Sequence, residues 1–311
     1  MDGFPYLPTP RPATLSRDDL QQQTLKSPIS CSGVGLHSGH PVSVRLLPAP
    51  AGFGIAFLRT DLGVLIPARF DAVVDTRMCT VVGHPDDPSA RVGTIEHLMA
   101  ALAACGIDNV VIEVDGPEIP VLDGSAEPWL FLLDCAGVVV QTQPRRLIEV
   151  LRPVRVEEGD AFVELRPGHD GLDMALSIAF DAPAIGRQAL SFTLDHAAFR
   201  RDLARARTFA QKHEIDGLQR AGLALGGSLD NAVVVDGARV LNPAGLLMPD
   251  EFVRHKMLDA VGDLALAGAP LQARFIGNKS GHALNNRVLH ALFADDANWR
   301  LSVTADACIA A

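Results

Sequence analysis

Several features that would place this 311-residue chain in a secreted, membrane or nucleic-acid-binding class are absent. It has no run of about 18 apolar residues, the length that a membrane helix needs, and its start lacks the apolar core of a secretory signal. Acidic residues outnumber Lys and Arg, 37 to 27, which gives a net charge of −10. Sequence-independent binding to a phosphate backbone needs the opposite balance. We therefore expect a cytoplasmic protein with no stable membrane insertion and no nucleic-acid partner.

The cysteines also lack a recognisable pattern. They are scattered, odd in number and without C-x-x-C spacing, and they are Cys31, Cys79, Cys105, Cys135 and Cys308. This usage is typical of a reducing compartment and not of a disulfide framework. The H-E-x-x-H motif of zinc proteases is missing as well.

The composition is nevertheless that of a globular protein. Apolar residues make up 48% of the chain and charged residues 21%, enough for two ordinary domains or one large one. The Pro-rich start predicts a disordered arm at residues 1–20. A short polar segment, QTQPRR at 141–146, predicts a boundary between a domain at 21–143 and a second at 144–311.

The first half alternates strand and helix patterns. Apolar alternation and β-branched residues predict strands at 42–47 and 110–114. A helix is predicted over 95–104, with Thr94 as its N-cap and Gly106 beyond its end. A second helix is predicted at 128–135, with Pro in its first turn.

The second half predicts the same mixture, and together the halves indicate an α+β protein. Residues 147–156 and 161–165 read as a hairpin, and 174–180 and 231–236 as strands. Helices are predicted at 195–203 and, most clearly, at 250–268, where Asp250 is the predicted cap and Gly268 the end.

His255 and Asp259 stand four residues apart in the helix predicted at 250–268. Residues at this spacing lie on one helix face about a turn apart, and Asp263 follows one turn later. Imidazole and carboxylate form a ligand set that suits Zn²⁺. Taken alone, an H-x-x-x-D pair is common and is more typical of a polar helix face with an Asp–His hydrogen bond.

Two further short motifs carry chemistry-bearing residues. Glu96 and His97 are adjacent in a predicted helix, where neighbours point about 100° apart, so one can bind a metal while the other reaches a water beside it. A solvated Glu beside an ordinary His is the alternative. Gly281 precedes His282 in a loop, where glycine lets backbone approach a ligand. An ordinary turn is the alternative there.

Eight blocks of sequence stand in one order between residues 23 and 295. They are SGVGLHSG at 32–39, DTRMCT at 75–80, TIEHLMAAL at 94–102, DNVVIEVDGPEIPVLDGSA at 108–126, ARTF at 206–209, LALGGSLDNAVV at 223–234, HKMLDAVGDLAL at 255–266 and KSGHALNN at 279–286. Together they resemble the UDP-3-O-acyl-N-acetylglucosamine deacetylases of lipid A biosynthesis. Several blocks are long and unusual, so the resemblance is specific.

The resemblance implies a fold and a reaction. The fold would be two similar α+β domains, each a sheet layered against helices, with the helices sandwiched between the two sheets. Each domain would carry an insert: a small sheet near 53–80, and a βαβ unit near 209–241 that forms an apolar passage for an acyl chain. The reaction would be hydrolysis of the N-acetyl group with release of acetate.

The resemblance also implies a metal site and the residues that work beside it. One Zn²⁺ per chain, or Fe²⁺ in its place, would be bound by His97, His255 and Asp259 with a fourth position open. Glu96 would be the general base. Three further catalytic residues are implied: His282 as oxyanion and proton donor, Asp263 as its carboxylate partner, and Thr208 as a second oxyanion donor. Four substrate contacts are implied: Lys256 and Lys279 near the diphosphate, Phe209 at the acyl passage, and Cys79 close to the site.

One departure concerns the acyl passage. The family continues ARTF with Gly and an aromatic residue, whereas Ala210 and Gln211 follow here, so the acyl-chain fit is an open question. Two alternatives stand beside the deacetylase: a catalytically inactive protein that binds the sugar nucleotide or acyl chain, and a zinc amidase for another N-acetyl sugar. A small-molecule substrate and a monomeric chain are expected.

Overall fold

The computed structural model describes residues 20–169 and 171–303. These residues form six α-helices and twenty strands in several sheets, which confirms the α+β class. The arm predicted at 1–20, apart from Leu20, and Cys308 lie outside the described residues. No helix in the described part is long and apolar enough to cross a membrane.

The first half of the chain contains a five-stranded sheet. Its strands, in spatial order, are β2 (Ile29–Val34), β3 (Pro41–Pro48), β9 (Val110–Val114), β4 (Ile55–Arg59) and β5 (Val64–Pro67). Neighbours are antiparallel except β4 and β9. The predicted strands 42–47 and 110–114 lie in β3 and β9. Alternate residues of β3 are buried, which turns Val42, Val44 and Leu46 towards the core.

The small sheet lies later in the chain than predicted. It consists of β6 (Val73–Asp75), β7 (Val81–His84) and β8 (Asp87–Val92). Only β6 falls inside the predicted range of 53–80, because β4 and β5 pair into the five-stranded sheet instead. A separate ribbon joins β1 (Gln21–Leu25) to β10 (Val138–Pro144), so much of the polar segment at 141–146 is a strand.

A seven-stranded sheet occupies the second half. Its main path is β12 (Val154–Glu158), β13 (Ala161–Pro167), β19 (Leu271–Asn278), β11 (Arg146–Val150) and β20 (Trp299–Val303), with β14 (Leu172–Ala179) between β19 and β15 (Arg187–Thr193). Only β12 and β13 form the predicted hairpin. Residues 146–150 pair with β19 and β20 instead. The strand ends before Pro153, which has no N–H to donate to a sheet.

The predicted βαβ unit is present. Strand β16 (Phe209–Gln211), helix α4 (Lys212–Arg220) and strand β17 (Val233–Asp236) follow one another, and β16 and β17 are parallel. A short β18 (Arg239–Val240) completes the sheet.

The described residues form five further helices, several of which pack on the two large sheets. They are α1 (Glu96–Ala104), α2 (Glu127–Ala136), α3 (His196–Asp202), α5 (Glu251–Ala265) and α6 (His282–Phe293). Helix α1 packs on α5, α2 packs on β2, and α5 packs on β14 and β15. One continuous apolar core includes residues of both sheets. Where α1 and α5 meet, a Cβ on Gly262 would lie 2.0 Å from the Glu96 carbonyl oxygen, so only glycine permits this approach.

Candidate metal centre and proton-transfer site

Helix α1 brings Glu96 and His97 into the interior at its first turn. Both side chains are buried. The prediction that Thr94 caps this helix was wrong: Ile95 is the N-cap, and the Thr94 hydroxyl donates to Glu118 at 2.8 Å. Thr94 has a φ of 59°, a conformation that a β-branched residue seldom adopts. The contact with buried Glu118 therefore holds a strained turn that sets where α1 begins.

Helix α5 supplies His255, Asp259 and Asp263 from one buried face. Asp250 is at the N-cap position, as predicted, but its carboxylate caps no backbone N–H; it accepts from Arg254 at 2.7 Å. Glu251, the first residue of the helix, makes the side-chain contacts at this end, with Arg207 and the Leu247 backbone.

An ion pair between Arg207 and Glu251 joins the segment before β16 to the start of α5. The guanidinium donates to both Glu251 oxygens, at 2.7 and 3.1 Å, and Glu251 is fully buried. Next to it in the chain, the Ala206 carbonyl lies 3.2 Å from His255 Nδ1. A hydrogen bond there keeps the proton on Nδ1 and leaves Nε2 free to act as a ligand.

Three side-chain donors converge at the junction of α1 and α5. Candidate ligand atoms of His97, His255 and Asp259 all lie within 4.8 Å of one another. Asp259 Oδ1 is 3.4 Å from His97 Nε2 and 3.3 Å from His255 Nε2, yet it is buried without a hydrogen-bond partner in the described structure. Such an arrangement is expected where the lone pairs of three ligand atoms would point at a shared ion rather than at one another. The residues therefore fit a divalent metal with two nitrogen ligands and one oxygen ligand.

The charges of this cluster also suit a cation. Burial lowers the pKa of His255 to about 3, so its imidazole is neutral and able to ligate. Burial would raise the pKa of Asp259, but the opposing charge around it, with the Lys256 ammonium in direct contact, holds that pKa well below its usual range. The Lys256 ammonium donates to Asp259 Oδ2 at 3.0 Å, leaving Oδ1 facing the histidines.

A second set of groups lies on the other side of Glu96. His282 Nδ1 is 2.9 Å from Asp263 Oδ2, and His282 Nε2 is 3.9 Å from Glu96 Oε1. Burial raises the pKa of Glu96 against the opposing effect of His282 and His97. Burial lowers the pKa of His282, but Asp263 and Glu96 outweigh it and raise that pKa to about 9. The pair thus couples a carboxylate of raised basicity to a protonated imidazole.

Sequence reasoning missed three residues whose side chains support these groups: Thr80, Asn285 and Glu118. Thr80 and Asn285 both donate to Asp263, at 2.6 and 2.9 Å. Glu118 accepts from the backbone of His37 and Ser38 as well as from Thr94. All lie inside the quoted sequence blocks, but only their side-chain partners reveal their positions.

The groups open onto a cavity of about 780 Å³. Predicted site residues on its wall are Glu96, His97, Thr208, Phe209, His255, Lys256, Asp259, Lys279 and His282. Asp263 lies behind His282, and Cys79 is buried outside the cavity wall, where burial raises the pKa of its thiol. The wall also includes His37, whose Nε2 has no hydrogen-bond partner in the described structure. A larger cleft of about 1640 Å³ contains none of the predicted site residues.

Lys279 and Gln211 line the cavity wall, and each has a side-chain partner there. The Lys279 ammonium pairs with Asp160, and Lys279 has a φ of 50°. Gln211 is the N-cap of α4 and forms a reciprocal capping box with Glu214. Its amide is therefore tied to the helix start, which gives this polar residue of the wall a structural partner.

Comparison with known proteins agrees with this geometry. Residues 22–294 match the family model described as LpxC, UDP-3-O-acyl N-acetylglycosamine deacetylase. Similar curated proteins, each named UDP-3-O-acyl-N-acetylglucosamine deacetylase, come from Acidithiobacillus ferrooxidans (48% identical, covering 90% of this chain and 92% of the relative), Anaeromyxobacter sp. (48%, 93% and 94%) and Phenylobacterium zucineum (49%, 92% and 97%). The chain belongs to the UDP-3-O-acyl N-acetylglycosamine deacetylase family.

Proposed function

We propose that this chain hydrolyses the N-acetyl group of a UDP-3-O-acyl-N-acetylglucosamine and releases acetate, a step of lipid A biosynthesis. The observation that carries the proposal is the convergence of His97, His255 and Asp259 beside Glu96 on the cavity wall. The alternative of an inactive binding protein has no support, since the relatives all bear an enzyme's name and every implied catalytic residue is retained.

The metal that suits this site best is one Zn²⁺ per chain, with Fe²⁺ as the alternative. Two neutral imidazoles and one carboxylate form a borderline ligand set, and a catalytic zinc site keeps a fourth position open. When bound, the metal supplies a Lewis acid that lowers the pKa of water and polarises a carbonyl.

Glu96 is the general base in this proposal. Its raised pKa gives it the basicity to take a proton from the attacking water. Glu96 Oε2 accepts from the Thr80 backbone at 3.0 Å, so Oε1, the oxygen nearer to His282, remains available for the proton.

His282 is the cationic donor of the site. Asp263 orients its ring through Nδ1 and favours the protonated form, so Nε2 can donate to the developing oxyanion or to the leaving amine. The Thr208 hydroxyl, on the same wall, is the second oxyanion donor. Removing one such donor typically costs about 10²–10³ in kcat.

The diphosphate and the acyl chain of the substrate would contact different parts of the cavity wall. The lysines Lys256 and Lys279 are the cations for the diphosphate, although each is paired with a carboxylate. The acyl chain has the apolar side of the βαβ unit, where the wall includes Phe209, Ile215, Leu218, Val234 and Leu241.

Four further proposals concern the whole chain. The division into domains 21–143 and 144–311 is supported by the sheets, because the five-stranded sheet uses strands before β10 and the seven-stranded sheet strands after it. A cytoplasmic location is supported by the cysteine usage. The net charge of −10 supports the absence of a nucleic-acid partner, and a monomer is proposed.

The function is tested by acetate release from UDP-3-O-acyl-N-acetylglucosamine of graded acyl length. The metal-stripped protein, reconstituted separately with Zn²⁺ or Fe²⁺, should regain activity at one equivalent per chain. Free N-acetylglucosamine and UDP-N-acetylglucosamine serve as controls that lack the nucleotide or the acyl chain. If the reconstituted protein released acetate from all three substrates equally, the assigned substrate class would be wrong.

A further inference from the structure

Thr80 contacts two buried carboxylates of the site, Glu96 and Asp263, from a third part of the chain. It lies just before β7, in the small three-stranded sheet, and its side chain is buried. Its backbone N–H donates to Glu96 Oε2 at 3.0 Å, and its hydroxyl donates to Asp263 Oδ1 at 2.6 Å. These two carboxylates belong to different helices, so one residue bridges the base on α1 and the histidine partner on α5.

These contacts decide which carboxylate oxygen is left for proton transfer. With Oε2 of Glu96 held by Thr80, it is Oε1 that faces His282, at 3.9 Å. With Oδ1 of Asp263 held by the Thr80 hydroxyl, it is Oδ2 that meets His282 Nδ1. Both carboxylates are buried, and a short hydrogen bond to a buried carboxylate is of the stronger, charge-assisted kind.

We propose that Thr80 is a positioning residue that fixes Glu96 and the Asp263–His282 pair relative to each other. Without its hydroxyl, the Asp263 carboxylate keeps donors only on Oδ2, from His282 and Asn285. The carboxylate is then free to rotate about its last side-chain bond, and the ring of His282 loses its fixed direction towards Glu96. The metal-binding cluster is untouched, because no hydrogen bond from Thr80 reaches His97, His255 or Asp259 in the described structure.

The test rests on the proposed function for its kinetic part and uses Thr80→Val, which removes the hydroxyl but keeps the shape and the backbone N–H. We expect kcat for acetate release to fall about 10–100-fold, the usual cost of losing an outer-shell partner, with KM and metal content unchanged. Thr80→Ser, which keeps the hydroxyl, should retain most of the wild-type kcat.

Thr24→Val is the matched control. Thr24 is also buried, its hydroxyl donates to the Asn109 carbonyl at 2.6 Å, and neither residue lines the cavity of the site. We expect Thr24→Val to lower Tm and leave kcat unchanged. If Thr24→Val and Thr80→Val lowered kcat equally, or if Thr80→Ser were as impaired as Thr80→Val, loosened packing would explain the loss and the positioning role would be wrong.

A second measurement is independent of substrate and metal. In proton NMR spectra of the metal-free protein, the hydrogen-bonded Nδ1 proton of His282 is assigned by its absence in His282→Ala. We expect this signal to shift and to exchange faster with water in Thr80→Val, but not in Thr24→Val or Thr80→Ser. An unchanged signal together with wild-type kcat would overturn the proposal, whereas an NMR change in a protein that releases no acetate would count against the proposed function alone.

A double-mutant cycle tests whether Thr80 acts through Asp263 and His282. If Thr80 acts through Asp263 and His282, Thr80→Val should lower kcat much less in a His282→Ala background than in the wild type, because the partner is already gone. Full additivity of the two losses would show that Thr80 acts by another route.

Discussion

The site has two halves that differ in whether the protein supplies hydrogen bonds to their buried carboxylate oxygens. The proposed metal ligands His97, His255 and Asp259 form the ligand half, and the proposed acid–base groups Glu96, Asp263 and His282 form the proton-transfer half. In the ligand half, Asp259 Oδ1 is buried without a hydrogen bond in the described structure. In the proton-transfer half, both oxygens of Asp263 accept hydrogen bonds and Glu96 accepts one from the backbone.

This difference follows from what each half must do. Ligand atoms have to point at an ion, so they cannot satisfy one another, and a buried polar group without a partner is costly until the ion binds. Proton-transfer groups must keep fixed directions before the substrate arrives, and hydrogen bonds from the protein provide them. The two halves should therefore respond differently to mutation.

The largest effect is expected from Asp259→Ala in the ligand half. Loss of a ligand should lower metal affinity by more than the roughly 10–100-fold typical of an outer-shell partner, and acetate release should fall with it. Metal content by mass spectrometry and kcat are the measurements. Asp236→Ala, which also removes a carboxylate from a lysine, Lys212, is the matched control and should keep both. Full metal occupancy in Asp259→Ala would contradict the assigned ligand set.

Glu96→Gln should give the opposite combination. The amide keeps the shape but cannot accept the proton of water, so kcat is expected to fall about 10²–10⁴-fold, the usual contribution of a general base, while metal content stays at the wild-type level. Glu113→Gln is the control, at a partly buried β9 residue paired with Arg45. Wild-type turnover in Glu96→Gln would assign the base elsewhere.

The fold class and the common helix face of His255 and Asp259 are well predicted from sequence because they depend on local patterns. The H-x-x-x-D spacing fixes His255 and Asp259 on one face of α5 once that helix forms, and strand alternation gives β3 and β9. The family resemblance, rather than spacing, joins them to His97. The structure then shows that these three residues do meet.

What sequence could not predict are contacts between distant segments. Thr94 looks like a helix cap because its type and position suit one, yet its hydroxyl turns to Glu118, which lies 24 residues away. Residues 53–80 look like one insert, but pairing of β4 with β9 draws part of them into the main sheet. The 183-residue separation between Thr80 and Asp263 leaves no local pattern at all.

In the proton-transfer half, Asp263→Asn should alter the pH profile. The pKa of His282 is raised to about 9, so activity that needs the protonated ring should persist below that pH and fall as pH rises through about 9. Removing the carboxylate charge lowers this pKa, so the decline should move to lower pH, with kcat reduced about 10–100-fold.

The same linkage bears on stability. Because the folded-state pKa of His282 lies above its ordinary value of 6.5, the pairing stabilises the fold fully below that value and less as pH rises through about 9. Urea unfolding of wild type should show this loss, and Asp263→Asn should show less of it. An unchanged basic limb in Asp263→Asn kinetics would mean that another group limits activity there.

The smallest effect is expected from Arg207→Lys, which tests whether the ligand half also has support of its own. Arg207 donates to both oxygens of buried Glu251, and a lysine cannot reproduce this two-point contact. The Ala206 carbonyl should then hold His255 less firmly, and metal affinity should fall about 10-fold. The basic pH limit set by His282 should not move, because Arg207 donates to no residue of the proton-transfer half.

Arg166→Lys is the matched control, since Arg166 contacts both oxygens of Glu164 in the same way but is half exposed. Competition with a chelator gives the metal affinity of each variant. A shift of the pH limit in Arg207→Lys would show that α5 transmits the disturbance to both halves together. A loss of affinity without such a shift would show that the chain supports the two halves separately: the ligand half through Arg207 and Glu251, the proton-transfer half through Thr80.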